Sequence, residues 1–211
     1  FIAGFFLILT IIIAQTELPP GAFSITRIQY DGGGDWYCDP SSLPNLLEFI
    51  SRQTTTIVNP IERRTQIGED VFYESPYLYL TGHGNINISE DDAQILREHL
   101  LNGAFLHADD NYGMDKSFRR EMKKVFPEKD WVEIPTDHRL FSVFKHFPNG
   151  LPKVHEHDNK RPQALGLFED ERLIVLYTYE SDLGDGWEDG NVHNDPMEIR
   201  QAALEMGTNI V

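Results

Sequence analysis

The spacing of apolar positions changes repeatedly along this chain, and each change marks an element. Residues 24–30 mix β-branched and polar residues with short period and predict a first strand. From Ser42 the period becomes helical. Leu46, Leu47 and Ile50 face inward, Ser42 is the cap, and the helix runs to about Gln53. Thr54 to Val58 is β-branched and predicts a second strand; Glu62 to Asp70 is polar and predicts a loop. Tyr77 to Leu80 is short and wholly apolar, as a strand covered on both faces should be. Ser89, with Asp92 at the capping-box position, opens a helix carrying Ala93, Leu96 and Leu100 inward and ending at Gly103. A strand over Ala104–His107 follows. Asp115 then caps a helix with Phe118, Met122 and Val125 inward, which Pro127 terminates.

Trp131–Ile134 predicts a further strand, and residues 148–162 a long loop rich in Pro, His, Asn and Lys. Ala164–Phe168 and Arg172–Tyr179 flank Glu169-Asp170-Glu171 as a hairpin. Asp195-Pro196 starts a last helix with Ile199, Ala203 and Met206 inward and Gly207 as its stop. Thr208 to Val211 then predicts the opening of a strand that the chain end truncates. Strands alternating with helices specify a three-layer α/β domain with a mainly parallel, flavodoxin-like sheet and a late β-hairpin. Residues 23–211 read as one such domain.

Composition adds bounds. The 211 residues are 40% hydrophobic, which suits one sizeable core. With 18 basic and 34 acidic residues the net charge is −16, a field that repels nucleic acid and anionic membrane surfaces. Phe1 to Ala14 is apolar apart from Thr10, the length of a signal-peptide core, and can alternatively belong to an anchor of about 20 apolar residues that begins upstream. Either reading makes the protein exported, periplasmic or membrane-anchored at the cell envelope, touching membrane only through that segment. Cys38 is the single cysteine, so no internal disulfide forms. As a nucleophile it needs a histidine beside it in space; otherwise it is a small loop-packing residue.

Four of the strands run directly into clusters of Gly, Asp, His, Ser or Trp. In a parallel sheet such carboxyl ends share one edge, where ligands bind. The first cluster holds Asp31, Gly33, Asp35 and Trp36, the second Gly82, His83 and Gly84. The third holds Asp109 and Asp110, the fourth Ser181 and Asp182. The first lacks the G-x-G-x-x-G spacing of dinucleotide sites, although a glycine run can offer backbone N–H groups to an anion and Trp36 can stack on a ring. Gly82 and Gly84 permit a tight turn around His83, an acid/base, a ligand or a packed histidine. Asp109 and Asp110 can hold metal, act as a base, bind a polar ligand or cap the turn. His155 and His157, in the long loop, can bind a divalent metal with His193. Residues 182–189 share some composition with a calcium loop but lack its alternating oxygen ligands.

These strings, with Ser117 to Met122 and residues 183–188, resemble the bacterial family known as domain of unknown function 4159, from about Phe23 to Val211. That family is similar to the class I glutamine-amidotransferase-like superfamily, which implies a flavodoxin-like sheet and an exported or membrane-attached protein. Active amidotransferases carry a cysteine on the turn after a central strand; here Asp109 and Asp110 stand there, so thioester chemistry is not expected. Two readings follow. One is a domain at the envelope binding a small polar ligand or an envelope protein. The alternative is a hydrolase using Asp109, Asp110 and His83, helped by metal on His155, His157 and His193.

Overall fold

A computed structural model describes residues 21–211; the apolar stretch Phe1–Ala14, on which the expectation of a leader or anchor rests, lies outside the described residues. Seven strands of the described residues form one sheet: β1 (Thr26–Ile28), β2 (Arg63–Thr65), β3 (Tyr77–Leu80), β4 (Phe105–Asp109), β5 (Val132–Glu133), β6 (Gln163–Glu169) and β7 (Arg172–Tyr179). Their order is β2-β1-β3-β4-β7-β6-β5. The first five in that order pair in parallel, and β6 pairs antiparallel with both β7 and β5. The hairpin and the alternation are as the sequence indicates.

Among the described residues, six α-helices cover the sheet: α1 (Ser42–Gln53), α2 (Asp70–Tyr73), α3 (Glu90–Leu101), α4 (Asp115–Val125), α5 (Leu183–Trp187) and α6 (Met197–Ile210). The period-2 alternation of β3 assigns the layers. Leu78 and Leu80 enter a core with Leu96 and Leu100 of α3 and Phe118 and Met122 of α4. Tyr77 and Tyr79 enter the opposite core with Leu46 and Leu47 of α1, Trp187 of α5 and Met206 of α6. The domain is therefore a three-layer α/β sandwich. No helix among the described residues is long and apolar enough to cross a membrane.

Local differences from the sequence reading have physical causes. Residues 54–58 contribute only a bridge from Val58 to Phe23, and the second strand forms instead at Arg63–Thr65, inside the stretch read as loop. β2 is an edge strand. Its side chains at Arg63 and Arg64 reach solvent, so it carries no apolar signature. Helix α1 is capped at Ser41, not Ser42, and the Glu188 carboxylate accepts both their N–H groups at 2.8 and 3.0 Å, a side chain from the far end of the sequence meeting the helix's positive end. Met114, not Asp115, occupies the cap position of α4; Asp115 pairs with Arg119 one turn on, at 2.6 Å. The strand expected at residues 208–211 is helix: α6 continues to Ile210. Gly207 does not stop it but lets it approach its neighbours. A Cβ there would lie 2.6 Å from Leu46 and 2.9 Å from the Trp187 ring.

Candidate functional site

β1, β3, β4 and β7 end on one edge, and the loops leaving them meet there. β4 ends on Asp109, which is 1% exposed. Its carboxylate accepts from the Thr178 hydroxyl on β7 and, at 2.6 Å, from the backbone N–H of Gly184. A Cβ on Gly184 would stand 2.9 Å from the Tyr79 hydroxyl, 3.1 Å from Asp39 Oδ2 and 3.2 Å from Asp109 Oδ2. Glycine thus lets the backbone reach a buried carboxyl group. The adjacent Asp110 turns the other way, accepting from the Tyr177 hydroxyl at 2.8 Å and the Glu180 N–H at 2.7 Å.

β7 leaves the sheet through a strained turn. Glu180 and Asp182 both take positive φ, 58° and 59°, a conformation that costs non-glycine residues and collects at functional sites. The long loop docks on this turn: the Ser181 hydroxyl donates to the Pro152 carbonyl, and the Val154 N–H to the Ser181 carbonyl. That docking delivers His155 and His157. The two nitrogens of His155 face carboxylates on both sides. Nδ1 lies 2.8 Å from Asp185 Oδ2 and 3.1 Å from Asp182 Oδ2, and Nε2 lies 3.1 Å from Asp195 Oδ1. His193 Nε2 is 3.5 Å from the same Asp185 oxygen. One ligand atom each from His155, Asp185 and His193 falls within 4.8 Å of the others, the geometry of a metal-binding group.

His157 belongs elsewhere than the sequence suggested. It is not part of that group: its Nε2 is 3.1 Å from Asp182 Oδ2, and its Nδ1 is 3.7 Å from Asp110, beyond hydrogen-bond range. It borders a cavity of about 330 Å³ that is also lined by Tyr112, Lys116, Lys160 and Tyr179. Asp182 therefore joins the histidine cluster to this cavity.

Charge is concentrated here. Asp39, Asp109, Asp182 and Asp185 are all buried. Burial, then the Asp182 and Asp39 charges, push the Asp185 carboxyl up to about 9. Burial and Asp182 also raise Asp109, and burial raises Asp39. Asp182 itself is lowered, because its bonds to His155 and His157 outweigh its burial. His155, bonded first to Asp182 and then to Asp195, is raised to about 9; burial opposes the shift and loses. His157 is raised to about 10, the pull of Asp110 and Asp182 outweighing its burial.

These shifts predict a pH dependence in the protein treated with chelator. A group whose folded-state pKa is raised stabilises below its unfolded pKa and loses that contribution as pH rises through the folded one. Asp185, from 3.8, and His155, from 6.5, both lose theirs by about pH 9. Urea midpoints should accordingly fall between pH 6.5 and 9 in wild type. In Asp185→Asn the fall should be smaller, and an equal fall in both proteins would refute the assignment.

The remaining sequence candidates form a second group over β1 and β3. His83 is exposed and its Nδ1 lies 3.1 Å from Asp35 Oδ2. Gly82 has φ of +139°, and a Cβ there would overlap the Tyr30 hydroxyl at 2.1 Å; Gly84 has φ of +86°. Trp36 is half-buried, edge-on to Tyr37 and packed against the α3/α4 core. Asp31 and Gly33 are exposed, and Asp31 bridges Asn87 through its backbone. Among the described residues no hydrogen bond joins His83 to Asp109 or Asp110, so the anticipated single cluster is two. Asp39 and Asn111 stand between them, Asn111 Nδ2 reaching Asp39 Oδ2 at 3.4 Å and Cys38 Sγ at 3.6 Å.

Sequence reasoning missed Asp39, Asp185 and Asp195 as site members. Asp185 sat in the segment set aside as a poor calcium loop, and Asp195 was read only as a helix start. The usable signal was the density of aspartates between residues 182 and 195, next to His193.

The family model described as Domain of unknown function (DUF4159) matches residues 24–211, and the chain belongs to that family. No curated protein matches it significantly.

Proposed function

We propose that this domain binds a divalent cation through His155, Asp185 and His193, and uses it to hold a small polar ligand at the carboxyl edge of the sheet. The observation that carries this reading is the arrangement around His155. Nδ1 faces the shared Asp185 oxygen while Asp195 holds Nε2. A carboxylate on the far nitrogen of a metal-binding histidine fixes its tautomer and ring angle, the usual support of such a ligand. Two further oxygens, Asp182 Oδ1 and Asp195 Oδ2, are buried with no hydrogen-bond partner. Four buried carboxylates in one place also favour a cation, because their mutual repulsion is costly otherwise. His193 is exposed, which leaves a side of the site open to a ligand. The neighbouring cavity, with Lys116, Lys160 and His157 among acidic groups, suits a polar molecule with both donors and acceptors.

Hydrolysis by Asp109, Asp110 or His83 has weaker support. The carboxylates of Asp109 and Asp110 already accept hydrogen bonds that hold the sheet edge together. The parallel order β2-β1-β3-β4-β7 favours the flavodoxin-like, amidotransferase-like assignment. Export to the cell envelope remains part of the proposal, on the strength of the apolar run from Phe1 to Ala14.

Calorimetric titration of chelator-treated protein with Zn²⁺ or Mn²⁺ tests the reading. Saturable binding with proton release is expected, because Nδ1 of His155 must lose its proton to bind. Asp195→Ala should weaken that binding by about 10–100-fold at unchanged stoichiometry, the effect of removing a supporting carboxylate. Absence of saturable binding, or an Asp195→Ala protein with wild-type affinity, would overturn it.

A further inference from the structure

We propose that Asp35, Cys38 and His83 form a second cation site, one that takes zinc or a similar thiophilic ion through the Cys38 thiolate. Its ligand atoms come from the loop after β1 and the turn after β3, and all three lie within 4.8 Å of one another. His83 Nδ1 and Asp35 Oδ2 are 3.1 Å apart, close to the spacing of two ligands on one small tetrahedral ion. The set is chemically distinct from the other group, which has two histidines, a carboxylate and no sulfur. Thiolate donors select zinc-like ions over magnesium or calcium.

Two independent observations point to a ligand at this place. The first is Tyr30. It is 6% exposed, its hydroxyl has no hydrogen-bond partner, and it stands against Gly82 and Gly34, the glycines flanking the Asp35–His83 contact. A buried phenol without a partner costs free energy, and a bound ion's water or fourth ligand would satisfy it. The second is topology. α1 packs on one face of the sheet and α3 on the other, so the crossover direction reverses between β1 and β3. Open α/β sheets bind ligands at the carboxyl ends of strands at that reversal.

The thiol needs only its proton displaced. In the free protein Cys38 Sγ–H donates to Asp39 Oδ2 at 3.2 Å. On binding, the S–H bond breaks, the proton leaves to solvent, and a metal–sulfur bond forms. Asn111 Nδ2, already 3.6 Å from the sulfur, can then donate to the thiolate, as supporting residues do around metal-bound sulfur.

Cobalt(II) reports the site directly, because only a thiolate ligand gives an intense near-ultraviolet sulfur-to-cobalt absorption. Chelator-treated full-length chain titrated with Co²⁺ should develop that absorption, and Zn²⁺ should bleach it. Cys38→Ser should abolish it. His83→Ala, at an exposed position that leaves folding intact, should reduce its affinity at least tenfold. His155→Ala should leave it in place, so failure of the His155 site and failure of this one are distinguishable. No sulfur-to-cobalt absorption in wild type, an unchanged titration in His83→Ala, or equal loss in His155→Ala would each overturn the proposal.

Discussion

Chelator-treated His155→Ala and Asp185→Asn proteins are both expected to lose divalent-metal binding at the His155 site by more than ~100-fold, beyond what removal of a supporting group costs. Their stabilities should move in opposite directions. His155 sits between Asp182, Asp185 and Asp195, and its positive charge offsets theirs. Alanine there leaves Asp195 without its histidine and Asp182 and Asp185 with only His157 and His193, so the metal-free protein should unfold at lower urea than wild type. Asp185 is the reverse case. Burial and the charges of Asp182 and Asp39 make its ionised form unfavourable. Asparagine removes that repulsion, so the metal-free variant should be at least as stable as wild type above pH 7. Metal should raise the thermal midpoint of wild type more than that of either variant, by mass action. Calorimetric titration and urea unfolding of the same samples check both halves. A variant pair that loses stability in parallel while still binding metal would show that the cluster is only an ion-pair network.

The second large effect lies outside the site. Arg27, on β1, is 1% exposed, and its guanidinium forks onto the buried Glu62, with Nε to both oxygens at 3.2 Å and Nη2 to Oε2 at 3.1 Å. The remaining donors go to the carbonyls of Trp36, Cys38 and Asp39. Arg27→Ala leaves the carbonyls of Trp36 and Cys38 without donors and the buried Glu62 carboxylate with Arg64 alone, while the Asp39 carbonyl keeps Ser42. Breaking a buried pair by removing one partner costs about 3–5 kcal/mol. Urea unfolding should show that loss, and the Cys38 thiol should become faster to react with thiol reagents because its loop is no longer held. Adding Glu62→Leu to Arg27→Met should restore part of the stability but not the loop, since apolar side chains cannot satisfy carbonyls. A loss below 1 kcal/mol in Arg27→Ala would refute this account.

Arg27 also shows where sequence reading ends. It occupies a position in a predicted strand where an apolar residue would be ordinary, and nothing in its neighbours marks it as buried. Its partner, 35 residues away, lay in a stretch read as loop. The pairing exists only because edge strand β2 lies beside β1. The same reasoning applies to Glu188, which meets the start of α1 from the other end of the chain.

The hydrophobic period alone determined the order of most helices and strands, the late hairpin and the mainly parallel sheet. Those features follow from local spacing, because a strand or helix must bury one repeating set of side chains. It also determined that polar clusters end the strands, and so which edge to inspect. Tertiary structure decided how those clusters divide. Docking of the 148–162 loop on the strained turn at Glu180 and Asp182 brings His155 to Asp185 and His193, and turns His157 toward Asp110 instead. The loop after β1 carries Cys38 to Asp35 and His83, with Asn111, two residues beyond β4, against its sulfur. Such groupings depend on distances between segments far apart in the chain, which no periodicity records, and on buried charges whose cost appears only when the sheet has closed around them.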